Sequence, residues 1–253
     1  MSRTRRAFFT SLAAAAAVAA GLAAPARAAG TLVDMQLVER SQGEPLAAYG
    51  YRGSTWVAGR PGSRYAVRLT NRSGARALVV LSIDGVNAVS GETAATGQTG
   101  YVLAPYQTTE ITGWRKSLTE AAAFYFTALP DSYAARTDRP DNVGVIGAAV
   151  FREAVREAPR EAELSMRAAP AAPAAQGKAA GVARDERLGT GHGEREYAPT
   201  TQTSFERAGD RPDELVRIRY DSHDRLVALG VIRPRRVPVV PEPFPGFVPD
   251  PKG

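Results

Sequence analysis

From Thr31 to about Glu153, apolar and polar positions alternate in short runs, the period of strands with one buried and one wet face. Arg64 to Thr70 alternates most clearly, with Tyr65, Val67 and Leu69 on one side and Arg64, Arg68 and Thr70 on the other. Asn71-Arg72-Ser73-Gly74 then reads as a turn, and Ala77 to Ile83 as a β-branched run ending at Asp84-Gly85, so a hairpin is predicted across 71–74. Further strands are predicted at Leu32–Val38, Leu46–Tyr51, Gly100–Ala104, Thr108–Thr112, Ala121–Leu129 and Val143–Phe151. Turn signals punctuate them at Arg60-Pro61-Gly62, Ala104-Pro105, Pro130-Asp131-Ser132 and Arg139-Pro140-Asp141-Asn142. Short strands, frequent turns and no strong helical period predict an all-β fold, an antiparallel β-sandwich of the immunoglobulin-like or jelly-roll-like kind over 29–157.

The pattern then changes. Residues 158–183 hold Pro170-Ala171-Ala172-Pro173, in which prolines and the glycines at 177 and 181 oppose the helix that alanine favours, so an Ala/Pro-rich linker is expected. A second β segment is predicted over 184–233, with strands at Thr201–Ala208, Glu214–Asp221 and Leu226–Ile232 and a hairpin turn at Asp221-Ser222-His223-Asp224. Three strands cannot cover both their faces, so this segment is expected to dock on the sandwich or to pair with another copy. Residues 234–253 carry seven prolines and no core pattern, which predicts a disordered, proline-rich tail.

At the other end, Arg3, Arg5 and Arg6 precede an alanine-rich apolar stretch from Leu12 to Ala24 and a small-residue cleavage site at Ala26-Arg27-Ala28. Residues 1–28 are therefore expected to be a signal peptide, and Thr4-Arg5-Arg6-Ala7-Phe8-Phe9-Thr10 resembles the twin-arginine translocation motif. The predicted location is periplasmic or secreted. This changes the charge argument: the whole chain has 32 Lys and Arg against 26 Asp and Glu, but four of the arginines lie in residues 1–28. A remaining balance near neutrality is no footprint for nucleic acid. The absence of cysteine excludes disulfides, a thiolate-held zinc and an iron–sulfur cluster. No apolar run beyond the signal approaches the roughly 20 residues needed to span a bilayer.

Candidate chemistry is sparse. His192 sits in Gly189-Thr190-Gly191-His192-Gly193 and His223 in the expected hairpin turn, neither with the spacing of a metal site, so they are weak metal candidates and otherwise loop histidines. The glycine run lacks the strand-to-helix context of a phosphate loop and reads as tight turns. A GxSxG elbow is absent. A glycosidase needs two carboxyl groups roughly 5 to 10 Å apart, and Asp84, Glu92, Glu110, Glu120 and Asp131 are the candidates, none singled out by spacing. The densest polar and aromatic region spans 97–116 and 131–142. Tyr101, Tyr106, Trp114, Arg115, Tyr133 and Arg136 are its candidate ligand-binding residues, since long loops in a β domain tend to carry binding groups. The same residues suit a plainer role, with Trp114 and Tyr101 filling the core and the cations solvated or ion-paired.

Three stretches, Val79–Asn87, Thr99–Leu103 continuing to Gly113–Ser117, and Asn142–Gly147, together with Gly189–Gly193, resemble a family of exported bacterial proteins without assigned activity. The resemblance implies export and a domain order, and no substrate, cofactor or catalytic residue. The expectation is a non-catalytic periplasmic binding or interaction module that needs no cofactor, its partner an envelope protein or cell-wall component. A carbohydrate- or cell-wall-acting hydrolase is the alternative, and a metal-dependent protein the weaker one.

Overall fold

A computed structural model describes residues 28–155 and 187–233. The expected signal peptide up to Arg27, the linker and the tail lie outside the described residues. The described chain is mostly β, in several antiparallel sheets. Its strands are β1 (Ala28–Ala29), β2 (Val33–Glu39), β3 (Ala48–Tyr51), β4 (Ser54–Gly59), β5 (Tyr65–Asn71), β6 (Ala77–Ile83), β7 (Val86–Asn87), β8 (Tyr101–Leu103), β9 (Thr108–Ile111), β10 (Gly113–Arg115), β11 (Glu120–Ala128), β12 (Val145–Arg152), β13 (Leu188–Tyr197) and β14 (Glu214–Ser222), with short helices α1 (Tyr133–Arg136) and α2 (His223–Ala228).

Strands β1-β2-β5-β9 form a four-stranded sheet and β10-β11-β13 a three-stranded one. The largest sheet runs β3-β4-β14-β12-β6-β7, with β8 also on β6, and its one parallel pair is β4 with β14. The alternation in β5 is realised: Tyr65, Val67 and Leu69 are fully buried, while Arg68 and Thr70 are partly wet. One core cluster draws on all three sheets, with Met35, Leu37 and Val67 from the first, Trp114, Phe124 and Phe126 from the second, and Leu81, Ile146 and Ile218 from the third. Strands β6 and β12 are buried on both faces, since Leu78, Val80, Ala149 and Phe151 form a second cluster that Phe205 covers. That accounts for their near-continuous apolar sequences.

Several expectations are corrected. The 71–74 turn does not close a hairpin: β5 pairs with β2 and β9, whereas β6 pairs with β12, β7 and β8. The Asn71 amide donates to the Ala75 and Ala104 carbonyls while its Oδ1 accepts from the Ser73 N–H and hydroxyl, which turns the chain out of one sheet and into another. The tight hairpin is one turn later, at Asp84-Gly85, where both residues have positive φ (52° and 77°) and Ile83 faces Val86. Residues 201–208 are extended but form no strand beyond a single bridge from Arg207 to Glu153. Residues 223–228 are helix α2 rather than a hairpin turn and strand, because the Ser222 hydroxyl accepts from the Arg225 N–H and caps the helix start. The glycine-rich 189–193 is part of β13, not a set of turns. The expected C-terminal hairpin segment is thus two strands in different sheets: β13 on β11, and β14 between β12 and β4.

Candidate functional site

An open groove of about 1330 Å³ runs between β8, the β10–β11 turn and the extended segment 199–204. Its walls follow from local hydrogen bonding. Asn87 holds the 88–99 loop by donating to the Gln98 side chain and the Thr99 carbonyl and by accepting from the Val89 and Ser90 N–H groups. In the β10–β11 turn the Ser117 hydroxyl accepts from the Thr119 and Glu120 N–H groups. The Leu118 and Thr119 carbonyls then accept from the N–H groups of Thr200 and Ala198, which fastens one end of the 199–204 segment. Arg76 fastens the other, donating to the Ser204 carbonyl at 2.6 Å while its guanidinium lies over the Phe205 ring. Thr201 and Gln202 span the interval as exposed residues.

Strand alternation sorts the candidate ligand-binding residues. On β10, Trp114 points into the core, edge-on to Phe124 at 4.7 Å, and Arg115 points to the groove. Tyr101 lines the groove as well. Arg115 Nη1 donates to the Ala198 carbonyl, and the rest of its guanidinium is buried beside the Tyr101 hydroxyl. Burial raises the Tyr101 pKa, opposed by the Arg115 charge and by the hydrogen bond between the two side chains. Tyr133 lies elsewhere, on α1, where it packs on Trp114 at 4.9 Å and on His192 at 5.1 Å. Lys116 connects the two places, since it lines the groove and its ammonium is 5.9 Å from the centre of the Tyr133 ring. Arg136, exposed on α1, is near enough for its charge to act on His192. Tyr106 is 71% exposed in the β8–β9 turn with a φ of 58°, and it does not line the groove.

Two cations line this groove and, among the described residues, no carboxylate does. Eight serines and threonines and two glutamines supply most of the remaining polar lining. The hydroxyl-rich run Thr200-Thr201-Gln202-Thr203-Ser204 falls largely within the segment Thr201–Ala208 expected to be a strand, and supplies the groove wall instead. Of the candidate acids, Glu110 pairs with Arg68 at 2.7 Å, Glu120 approaches Arg195 at 3.5 Å and Glu92 accepts from Gln98 at 3.3 Å. Asp131 is exposed at the end of a 3₁₀ turn.

Asp84 lies in a second polar cluster, fully buried where the three sheets meet. Its carboxyl accepts from the Thr190 N–H at 2.7 Å, the Gly144 N–H at 3.0 Å and the Tyr220 hydroxyl at 2.6 Å. The Thr190 hydroxyl lies 2.7 Å from both the Tyr220 and the Tyr65 hydroxyls. With Asp84 ionised, Tyr220 must donate to it, so Thr190 donates to Tyr220 and Tyr65 to Thr190. Burial pushes the Asp84 pKa up to about 6, its hydrogen bonds opposing that rise only in part. Tyr65 and Tyr220 are raised well above the ordinary range, chiefly by burial and then by the Asp84 charge. The cluster ties β5, β13 and β14 to the β6–β7 turn, and its partners are internal to the fold.

His192 is stacked 6.0 Å from Trp114, and burial followed by the Lys116 charge lowers its pKa. His223 is exposed beside Asp224, with Nδ1 3.4 Å from the carboxylate. Among the described residues no three His, Asp or Glu side chains converge as metal ligands. No described helix is long and apolar enough to cross a membrane. No family model, curated protein or solved structure matches this chain.

Proposed function

We propose that this chain is an exported, non-catalytic binding module, a β-sandwich whose groove between β8, the β10–β11 turn and the 199–204 segment takes a component of the cell envelope. The observation that carries the reading is a pair of cations, Arg115 and Lys116, on a hydroxyl-rich groove whose lining holds no carboxylate among the described residues. A concave site with one sign of charge and convergent polar groups suits a polar ligand. The sandwich assignment is supported by the core cluster that all three sheets share, and the exported location by the basic, apolar and small-residue order of residues 1–28. Binding takes precedence over hydrolysis because a two-carboxylate mechanism finds no acid on this lining among the described residues.

The test compares sedimentation of the protein with isolated peptidoglycan, envelope polysaccharide and envelope membranes for wild type, for Thr201→Trp, which plugs the groove, and for Leu215→Asp, an exposed site away from it. Binding to one fraction should fall at least tenfold in Thr201→Trp and persist in Leu215→Asp. Equal binding by all three proteins would remove the groove from the function.

A further inference from the structure

The composition of the groove narrows the chemistry of its occupant. We infer that the groove takes an acidic sugar, a hydroxyl-rich ligand carrying an oxyanion, with Arg115 as the anion-binding residue. The inference rests on the proposal that this groove binds an envelope component. Arg115 spends its guanidinium on neutral groups, Nη1 on the Ala198 carbonyl and the remainder beside the Tyr101 hydroxyl, and no carboxylate on the lining pairs with it among the described residues. An oxyanion is a stronger acceptor than a carbonyl, because a charge-assisted hydrogen bond is roughly twice as strong as a neutral one. A rotation of the Arg115 side chain that exchanges the carbonyl for the ligand gives the guanidinium a charged acceptor and lifts it from beneath the surface. The Tyr101 hydroxyl beside it supplies a second donor, and exposed Lys116 at the rim a second positive charge.

Selectivity follows from what is missing as well as from what is present. With Arg115 and Lys116 on the lining and no described carboxylate to neutralise them there, an anion enters without competition from the protein's own acids. The serine, threonine and glutamine side chains around it both donate and accept, as a polyol requires, whereas an apolar ligand would leave them unpaired. Arginine presents a planar fork to an oxyanion, which a lysine at the same place would not.

Isothermal titration of the full-length mature protein with three probes tests this: a trimer of galacturonic acid, the same trimer as its neutral methyl ester, and a hexose 6-phosphate. The acid trimer should bind at least about tenfold more tightly than the ester, the difference expected for one charge-assisted contact. Arg115→Gln should erase that preference, Arg115→Lys should restore part of it, and Tyr101→Phe, which removes only the hydroxyl, should weaken the acid trimer severalfold with an unchanged melting temperature. Preference for the phosphate over the galacturonate would keep the oxyanion and identify its source as phosphate. Equal binding of acid and ester would overturn the anion assignment while leaving the groove as a sugar site. Failure of all three probes would overturn the inference, and the Thr201→Trp comparison on envelope fractions then decides separately whether the groove binds at all.

Discussion

Burial holds the Asp84 carboxyl at a pKa of about 6 against an ordinary value of 3.8, and this couples stability to pH. The folded protein keeps the proton more firmly than the unfolded chain, so the stabilising contribution is complete below pH 3.8 and is lost as pH rises towards 6. A rise of that size corresponds to about 3 kcal/mol. Its immediate hydrogen-bond partners, Tyr220, Thr190 and Gly144, carry no opposing positive charge. Other groups titrate over the same range, so the informative quantity is a difference. The stability of wild type minus that of Asp84→Asn, from urea denaturation, should fall by about 2 kcal/mol between about pH 4 and pH 7. A difference that stays constant across this range would show that Asp84 does not titrate there. Asn at this position tolerates the positive φ, so backbone strain does not confuse the comparison.

At the scale of the element, glycines decide which strands meet. Strand β13 holds Gly189, Gly191 and Gly193, a composition that disfavours strand in isolation, yet the Tyr125 ring on β11 lies across Gly191, where an added Cβ would be 2.2 Å from it. The cross-strand aromatic fills the space the glycine leaves, a pairing that local propensity cannot reveal. Gly113 acts more severely: a Cβ there would be 2.1 Å from the Ala122 carbonyl oxygen, so β10 can approach β11 only without one. Because β10 carries Trp114 into the core and Arg115 to the groove, Gly113→Ala should destabilise the protein by about 1–3 kcal/mol and weaken ligand binding as well. A melting temperature within a degree of wild type would mean that the strand moves aside at no cost. Helix α2 departs from the expected strand for a different reason. Leu226, Val227, Val231 and Ile232 fit a β pattern, but the Ser222 cap and Gly230, with a φ of 73°, close a short helix over Tyr49, Tyr51 and Trp56.

Across the whole molecule, the largest sheet is completed by the C-terminal part of the chain. Strand β14 pairs antiparallel with β12 and parallel with β4, and β13 covers the edge of β11. A chain truncated after residue 155 would leave three strand edges open and remove Thr190 and Tyr220 from the buried cluster. Such a truncation is expected to be insoluble or to aggregate on refolding. A soluble monomer with cooperative unfolding, by light scattering and circular dichroism, would show that residues 28–155 fold alone. By itself the sequence determined the all-β class and the position of most strands, because burial on one face of a sheet writes a two-residue period into the chain. It also marked Tyr101 and Arg115, whose aromatic and cationic chemistry is legible without coordinates. Only the tertiary structure decided that Trp114 belongs to the core and Arg115 to the groove, that 199–204 forms a wall, and that β5 and β6 part into different sheets. Those outcomes depend on contacts between residues as distant as Arg115 and Ala198 or Asp84 and Tyr220, and long-range pairing leaves no local period to read.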